Sequence, residues 1–288
     1  MDYFFIVVLQ LAVTIANLAL VSIGLAIVFG MMRVINFAHG EFLMLGGYAA
    51  IISNRTGINL WIAIFLIAPI VVGAVGILLE RLVIRHLYGR MIDTMLATWG
   101  ISLALIGLVT VVFGNTVSGI SPPLGSLTVG RYAIGNYELL LVAVAAALFA
   151  AGWLVLRHTS LGLIARGTMQ DREMSAALGI DPSRVYAATF AVGAAVSGLT
   201  GALIAPIVGV VPTIGAMYIA KAFITVISGG VAILAGTLGS SVLLGGVNTL
   251  ISFVFTPVLG EVALLAAAVV LLRLLPQGIT GRFFRKAL

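Results

Sequence analysis

The chain has 288 residues, of which 62% are hydrophobic and 8% are charged, and its formal net charge is +6. Soluble domains carry about 25% charged residues, so this composition excludes a soluble globular protein. Its continuous apolar runs predict an all-α polytopic membrane protein rather than a β-barrel, because each membrane helix needs about 20 apolar residues. With no cysteine and three scattered histidines, neither a disulfide nor a dedicated metal site is expected.

Four apolar segments open the chain. They occupy residues 1–30, 42–52, 60–79 and 94–113. After the third comes a basic loop, 81–90, with three arginines, and after the fourth a long connection, 114–138, with only two charged residues. Basic loops are typical of the cytoplasmic side, so the net positive charge does not indicate a nucleic-acid partner.

A polar cluster, Arg33, Asn36, His39 and Glu41, separates the first two segments. Ionisable groups at membrane depth are costly and mark either a functional site or a satisfied pair. The structural interpretation pairs Arg33 with Glu41, while Asn36 and His39 satisfy the backbone of a broken helix. The alternative is that Asn36, His39 and Glu41 line a translocation path.

The fifth apolar segment, 139–156, leads into the longest polar stretch, residues 157–184, which holds four arginines and three acidic residues. Such a loop is either solvated or a docking element for a soluble partner. Thr168 followed by Asp171 predicts a capping-box start for a helix over 169–178, about ten residues and roughly 15 Å long.

Gly179 predicts the end of that helix, because glycine readily takes the left-handed conformation that follows a helix C-terminus. Asp181, followed by Pro182 at a first helical position, predicts the cap of the next helix. The loop therefore contains a short, sharply bounded polar helix between two membrane spans.

Four more apolar segments complete the membrane part. They occupy residues 185–211, 217–234, 238–255 and 262–275. Gly193, Ser197 and Gly201 have the small-x-x-x-small spacing that lets helices approach closely. Lys221 either extends its ammonium to an interface or partners a substrate carboxylate or Glu261. Glycines at 229, 230, 236 and 239, with Thr237, predict a flexible break, which is either a broken helix of the kind found at transport sites or a loop that only packs tightly.

The basic clusters indicate the topology. Clusters 81–90, 157–184 and 282–286 are separated by two and then four spans, so all three face the cytoplasm. The count is about eight to nine transmembrane or re-entrant helices in one permease domain, 1–288, with the N-terminus outside. Residues 34–53 and 213–240 are the re-entrant candidates. No basic region precedes the first apolar run, so no cleaved signal peptide is expected.

The sequence also predicts what this chain does not do. It has no phosphate-binding Gly-x-x-x-x-Gly-Lys-Ser/Thr motif and no His-Glu-x-x-His motif, so it is not expected to hydrolyse ATP or hold a catalytic metal. Ser197 has no histidine partner in a recognisable catalytic motif, which weakens an intramembrane hydrolase. The chain is therefore predicted to be non-catalytic, with no cofactor of its own.

Several motifs, spread over nearly the whole chain, resemble permease subunits of ABC importers for branched-chain amino acids and for urea or short-chain amides. They are Ile35-Asn36-Phe37-Ala38-His39-Gly40-Glu41, Gly46-Gly47-Tyr48, Ser160-Leu161-Gly162, Met174, Leu178-Gly179-Ile180, Arg184-Val185, Gly229-Gly230-Val231 and Ala235-Gly236-Thr237. The resemblance implies a pore-forming subunit in the inner (plasma) membrane. Its implied partners are a homologous second permease, two cytoplasmic ATPases that bind ATP and Mg, and a periplasmic binding protein.

In this family the helix 169–178 would be the coupling helix that sits in a cleft of the ATPase. The residues that would couple to the ATPase are Arg166, Asp171, Arg172, Glu173, Met174, Leu178 and Gly179. The candidates for the translocation path are Asn36, His39, Glu41 and Lys221. A stand-alone secondary transporter or channel for a small polar solute is the alternative function.

The substrate branch is indicated by smaller motifs. Three resemble the urea permeases: Thr168-Met169-Gln170-Asp171-Arg172-Glu173-Met174, Phe113-Gly114-Asn115 with Pro122-Pro123, and Pro257-Val258-Leu259-Gly260. Lys221-Ala222-Phe223 instead resembles the amino-acid branch. The sequence therefore favours urea or a related amide slightly over branched-chain amino acids.

Overall fold

A computed structural model of the chain describes residues 2–230 and 232–284, and these are almost entirely helical. The helices are α1 (Asp2–Met32), α2 (His39–Arg55), α3 (Leu60–Ile62), α4 (Ala68–Leu82), α5 (Met91–Phe113), α6 (Asn136–His158), α7 (Ser160–Gln170), α8 (Arg172–Ala177), α9 (Pro182–Val208), α10 (Ile214–Gly229), α11 (Ile233–Val254), α12 (Pro257–Leu274) and α13 (Gly278–Phe284). One antiparallel hairpin, β1 (Ser126–Val129) with β2 (Tyr132–Gly135), interrupts them. The basic residues at 285 and 286, part of the predicted cytoplasmic cluster, lie outside the described residues.

Seven helical segments of the described chain are long and apolar enough to cross a membrane. They are Phe4–Met32, Leu60–Leu82, Met91–Phe113, Asn136–His158, Pro182–Val208, Ile233–Val254 and Pro257–Gly281. Two further helices, α2 and α10, are shorter, with 17 and 16 residues. They fall in the two regions predicted to be re-entrant. The prediction of an all-α polytopic membrane protein is confirmed, with seven candidate spans among the described residues.

The segment Leu60–Leu82 contains one irregular turn. A π-helical turn, Ala63–Ile67, joins α3 to α4 immediately before Pro69. Proline has no N–H to donate to the preceding turn and its ring crowds the carbonyl four residues back. A wider turn accommodates that ring, so the span continues through the proline.

The chain divides into two compact units. Unit 1 contains residues 1–22, 122–150 and 221–288, and unit 2 contains residues 23–121 and 151–220. Three of the four boundaries fall inside helices α1, α6 and α10. A single permease domain over 1–288 stays a prediction.

Unit 2 is built around α9. Helix α2 packs against it: Phe42 packs edge-on against Phe190, and Tyr48 packs in a cluster with Ala205. Helix α4 runs antiparallel, because Gly76 lies against Ala194 whereas Val72 lies against Gly198. Residues 24–32 of α1 also pack along α9.

Small residues make these contacts possible. A Cβ atom built at Gly46 would lie less than 3.0 Å from backbone atoms of Gly198, and one built at Gly201 would lie equally close to the backbone of Leu43. Gly193 likewise faces Gly24 and Val28 of α1. The close helix packing expected from the spacing of Gly193, Ser197 and Gly201 is confirmed, because α9 contacts α1 at Gly193 and α2 at Gly201.

The two ends of unit 2 differ in character. At one end lie the arginine-containing turn Ile84–Leu87, helix α8 and the start of α9; we call this the basic end. At the other end Ser118 and Val210 form a two-way backbone bridge, with N···O distances of 2.9 and 2.7 Å. The loops after α5 and α9 therefore share one side, as the predicted topology requires.

Unit 1 contains a smaller core between α11 and α12. Its buried members are Leu18, Leu244, Leu264 and Ala268. Helix α10 ends at Gly229, because Gly230 has a φ of +84° and Gly229 packs directly on the backbone of Gly236. The predicted span 217–234 is therefore wrong at its C-terminal end, while the predicted glycine break is confirmed.

Candidate functional site

The polar cluster between α1 and α2 forms the start of α2 in unit 2. Helix α1 ends at Met32, and Arg33 has a φ of +51°, an unusual conformation for a residue with a side chain. The Asn36 Oδ1 atom accepts a hydrogen bond from the Ala38 N–H at 3.0 Å. This local turn redirects the chain into α2, so Asn36 serves the broken backbone, as the structural interpretation expected.

Glu41 is 2% exposed, and its Oε1 atom accepts a 2.8 Å hydrogen bond from the Ser102 hydroxyl on α5. Arg33 is exposed and forms no ion pair with Glu41 among the described residues, so the predicted pairing is wrong. The Glu41 Oε2 and Asn36 Nδ2 atoms are buried and have no hydrogen-bond partner among the described residues. Such atoms are costly and mark positions that a water or ligand would satisfy.

His39 and Ser197 form a buried contact, with 3.3 Å between His39 Nδ1 and Ser197 Oγ. The hydroxyl of Ser197 also lies 2.7 Å from the Gly193 carbonyl, to which it donates its single proton. The oxygen is then left to accept from the His39 ring. A serine engaged in this way joins α2 to α9 and is not an activated nucleophile.

Replacing Ser102 with alanine is expected to destabilise unit 2, because Glu41 would lose the one hydrogen bond that its carboxylate makes in the protein. Leaving a buried polar group unsatisfied costs about 1–3 kcal/mol. The measurement is the thermal unfolding midpoint of the purified chain in detergent. Thr110→Ala is the matched control on α5, since Thr110 bonds only the Ile106 carbonyl of its own helix. Equal midpoints for the two variants would contradict this role for Ser102.

The long polar loop contains two short helices rather than one. Thr159 caps α7, and its side chain accepts from the Gly162 N–H at 3.1 Å. Thr168, predicted as a cap, instead lies buried inside α7. The single helix predicted over 169–178 is therefore wrong: it is divided at Asp171, which has extended backbone angles.

Asp171 divides the loop because it is the better cap. Its Oδ1 atom accepts from the Met174 N–H at 2.9 Å and starts α8, Arg172–Ala177. The predicted stop is confirmed: Gly179 has a φ of +85°, its N–H donates to Ala176, and the Ile180 N–H donates to Ser175. The predicted Asp181 cap, which accepts from Ser183 at 2.9 Å, is also confirmed.

Helix α8, its C-cap Leu178 and the preceding α7 present both apolar and charged groups at the basic end. Met174 is 59% exposed and Leu178 is 75% exposed. The charged residues Arg166, Arg172 and Glu173 are exposed and form no ion pair among the described residues. Exposed apolar groups ringed by unpaired charges are typical of a protein-binding surface.

A chain of side chains connects α8 to the membrane helices. The Arg172 guanidinium lies 5.8 Å from the centre of the Tyr186 ring on α9, and that ring meets Tyr88 edge-on at 5.1 Å. Tyr88 in turn donates a hydrogen bond to Glu80 of α4. Burial, followed by the hydrogen bond to Glu80, raises the pKa of Tyr88 well above its usual range, so this phenol keeps its proton at physiological pH.

Removing the cap of α8 is expected to loosen the helix. Asp171→Ala should cost about 1 kcal/mol of local stability, whereas Asp171→Asn should cost little, because asparagine caps equally well. Hydrogen exchange at the amides of residues 174–178 measures the difference. Exchange that is equally fast in both variants and faster than in the wild type would show that the carboxylate charge matters rather than the cap.

The geometry can now be compared with known proteins. Residues 7–275 match a family described as the permease component of branched-chain amino acid transport systems. The chain belongs to this family. It is 29% identical to the high-affinity branched-chain amino acid transport system permease protein LivH of Escherichia coli K12, over 92% of this chain and 91% of LivH.

Two further relatives come from other organisms. The BraD permease of Pseudomonas aeruginosa is 30% identical over 92% of this chain and 91% of its own length, and the probable LivH permease of Methanocaldococcus jannaschii is 27% identical over 97% and 93%. No solved structure matches. The family predicted from the sequence is confirmed: the chain is a multi-pass membrane permease, a transport component by family.

In this permease, Lys221 forms an ion pair within unit 1. Its Nζ atom lies 2.6 Å from Glu261 Oε1, and the two side chains are 28% and 50% exposed. Of the alternatives for Lys221, the structure therefore selects the Glu261 partner. A partly exposed ion pair in an apolar helix face is costly against lipid, so this face is suited to water or to a partner subunit.

Proposed function

We propose that this permease is the membrane subunit of an ABC importer that translocates branched-chain amino acids across the inner membrane, driven by separate ATPase subunits. The observation that carries the proposal is the family match over residues 7–275, because it covers nearly the whole chain, including the 157–184 loop. The relatives LivH and BraD are described as high-affinity branched-chain amino acid permeases.

Helix α8 is the proposed coupling helix. ATP binding would close the ATPase dimer and push α8, and the push would reach α9 and α4 through Tyr186, Tyr88 and Glu80. The exposed side chains of Met174 and Leu178 are the proposed apolar contacts with the ATPase. The other coupling candidates are Arg166, Asp171, Arg172, Glu173 and Gly179.

The proposed path residues are of two kinds. Lys221, with Glu261, offers both charges that a zwitterionic amino acid needs and is partly accessible. Asn36, His39 and Glu41 are 1–2% exposed, so they would reach a substrate only in another conformation of unit 2. The unpaired Asn36 Nδ2 and Glu41 Oε2 atoms support a role there, since one is a donor and the other an acceptor.

The proposal also includes an orientation in the membrane and a set of partner subunits. The basic end of unit 2 faces the cytoplasm, because loops rich in Arg favour that side. A homologous second permease, two cytoplasmic ATPases with ATP and Mg, and a periplasmic binding protein would complete the importer. Within such an assembly this chain binds no cofactor and catalyses no reaction.

Urea or a short-chain amide is the second candidate substrate. The observation that favours it is the likeness of the stretch 168–174, of the Phe113-Gly114-Asn115 turn and of 257–260 to urea permeases. Urea carries no formal charge, so it would not need the Lys221–Glu261 pair. Transport of an amino acid would therefore depend on that pair, whereas transport of urea would not.

Reversing the Lys221–Glu261 pair tests which substrate it serves. For an amino acid, Lys221→Glu should reduce uptake roughly tenfold or more, since it places two carboxylates together. The double variant Lys221→Glu with Glu261→Lys should recover part of the loss. Uptake of radiolabelled leucine in whole cells is the measurement. Unchanged leucine uptake in the single variant would exclude the pair from the path.

The decisive experiment is a pull-down of this permease from its native membrane in mild detergent, followed by reconstitution. We expect two ATPase subunits and a second permease to accompany it, and ATP-dependent uptake of leucine rather than urea in liposomes with the binding protein. ATP-dependent uptake of urea alone would support the second candidate. Uptake by this chain without any ATPase would overturn the importer and favour a stand-alone transporter or channel.

A further inference from the structure

A cleft of about 540 Å³ lies in unit 2, where α4 ends and α9 begins. Three arginines line it: Arg81 and Arg85 follow one another at the end of α4 and in the turn after it, and Arg184 stands in the first turn of α9. Of its lining residues, only Glu80 takes part in the proposed coupling, and none is a candidate for the translocation path. The class of ligand that the cleft suits can be inferred from which of its charged residues are already paired.

Two of the arginines are available to a ligand. Arg184 is committed, because its Nε atom lies 3.2 Å from the Asp181 Oδ2 atom in the same cleft. Arg81 and Arg85 are exposed and take part in no ion pair within residues 2–230 and 232–284. Two adjacent free guanidinium groups are suited to the oxygens of one phosphate.

The acidic residue nearest to them does not neutralise this pair. Glu80 is 2% exposed and accepts a hydrogen bond from the Tyr88 hydroxyl, so its carboxylate is turned into the protein. The protonated phenol supplies that carboxylate with a partner. The cleft therefore offers net positive charge at its rim.

The inner wall of the cleft is apolar. Ile77, Ala187 and Ala188 line it, and all three lie on the membrane side of the arginines along α4 and α9. On the same two helices Leu78 and Val192 are also exposed, by 55% and 52%. A basic rim next to an apolar wall matches a ligand that has an anionic head and a hydrocarbon tail.

We propose that this cleft binds an anionic phospholipid, whose phosphodiester contacts Arg81 and Arg85 and whose acyl chain lies against Ile77 and Leu78. Basic pockets between membrane helices at the cytoplasmic interface are suited to such head groups. The lipid links the ends of α4 and α9 from outside. Because Glu80 also lines the cleft, the bound head group lies beside the Tyr88–Tyr186 contact that leads to α8.

Native mass spectrometry of the full chain, purified with the subunits that accompany it, tests the site. The probe is dioleoylphosphatidylglycerol, with dioleoylphosphatidylcholine as the zwitterionic comparison. Each juxtamembrane arginine contributes roughly fivefold to the binding of an anionic lipid, so Arg81→Gln with Arg85→Gln should weaken retention of the glycerol lipid by roughly 25-fold. The same lipid should raise the thermal unfolding midpoint of the wild type and not of the double variant.

Arg55→Gln and Arg131→Gln are the controls, because both arginines are exposed and lie away from the cleft, at the end of α2 and in the turn of the hairpin. They should retain the lipid like the wild type. Equal retention in all variants would overturn the site, and so would displacement of the lipid by inorganic phosphate, which would show that the hydrocarbon contributes nothing. Loss of an accompanying ATPase with unchanged lipid retention would assign the arginines to a protein contact instead. None of these outcomes depends on the transported substrate.

Discussion

Replacing Gly201 with leucine should prevent unit 2 from folding. A Cβ atom at this position would lie less than 3.0 Å from three backbone atoms of Leu43 on α2, so no side-chain rotation relieves the overlap. The helices would have to separate, and the loss would spread to neighbouring small-residue contacts. Inserting bulk into a well-packed core costs about 1–3 kcal/mol when side chains yield; here the backbone must move, so at least about 3 kcal/mol is expected.

The measurement is the yield of monodisperse protein in mild detergent, together with its thermal unfolding midpoint. Gly107→Leu is the matched control, because Gly107 on α5 has nothing within 4 Å of a built Cβ atom. That variant should fold normally. A Gly201→Leu protein with the wild-type midpoint would show that α2 and α9 are not held at this distance.

Met174→Asp should abolish coupled transport while the protein remains folded in the membrane. Met174 is 59% exposed on α8, so a charge there is tolerated by the isolated chain. In the proposed complex it would place a carboxylate in an apolar contact. Losing a central apolar contact costs about 2 kcal/mol or more, which corresponds to roughly thirtyfold weaker docking.

The readouts are ATP hydrolysis by the assembled importer and leucine uptake measured on the same sample. We expect ATP hydrolysis that no longer responds to substrate and uptake at background level. Met174→Leu keeps an apolar side chain at the same place and should transport normally. Full substrate-stimulated uptake in the aspartate variant would remove α8 from the coupling mechanism.

The membrane segments could be predicted because they depend on local composition. Runs of apolar residues about 20 long have few alternatives in a bilayer, and the parity of the basic loops needs no tertiary information. The helix ends at Gly179 and Gly230 could also be predicted. Both glycines have a positive φ, the conformation that glycine favours after the last turn of a helix.

Two helix boundaries were predicted wrongly, because several nearby residues could each start or end the helix. Thr168 and Asp171 both have capping side chains, and the sequence does not show which one the chain uses. The earlier cap, Thr159, starts a helix that runs through Thr168 and leaves Asp171 as the next available cap. Similarly, residues 217–234 are apolar throughout, and only the packing of Gly229 on Gly236 shows where the helix ends.

The local role of Asn36 could be predicted, but the long-range contacts of the polar cluster could not. His39 meets Ser197 across 158 residues, and Glu41 meets Ser102 across 61. Neither pair shares a motif, and the nearby Arg33 offered a more obvious partner for Glu41. Long-range polar contacts depend on how helices cross, which a single sequence with apolar periodicity everywhere does not specify.

The interlocking of α4 with α9 has a mechanical consequence. The two helices pack too closely to slide along each other at Gly73, Gly76 and Gly198. At the basic end, the rings of Tyr88 and Tyr186 are in contact. The pair should therefore pivot as one stiff rod instead of bending. Helix α9 has 27 residues and is about 40 Å long, so a tilt of roughly 10° at α8 would swing its far end by about 7 Å. That displacement exceeds the width of a leucine side chain, so in the proposed importer a small movement of α8 at one face of the membrane would open the path at the other.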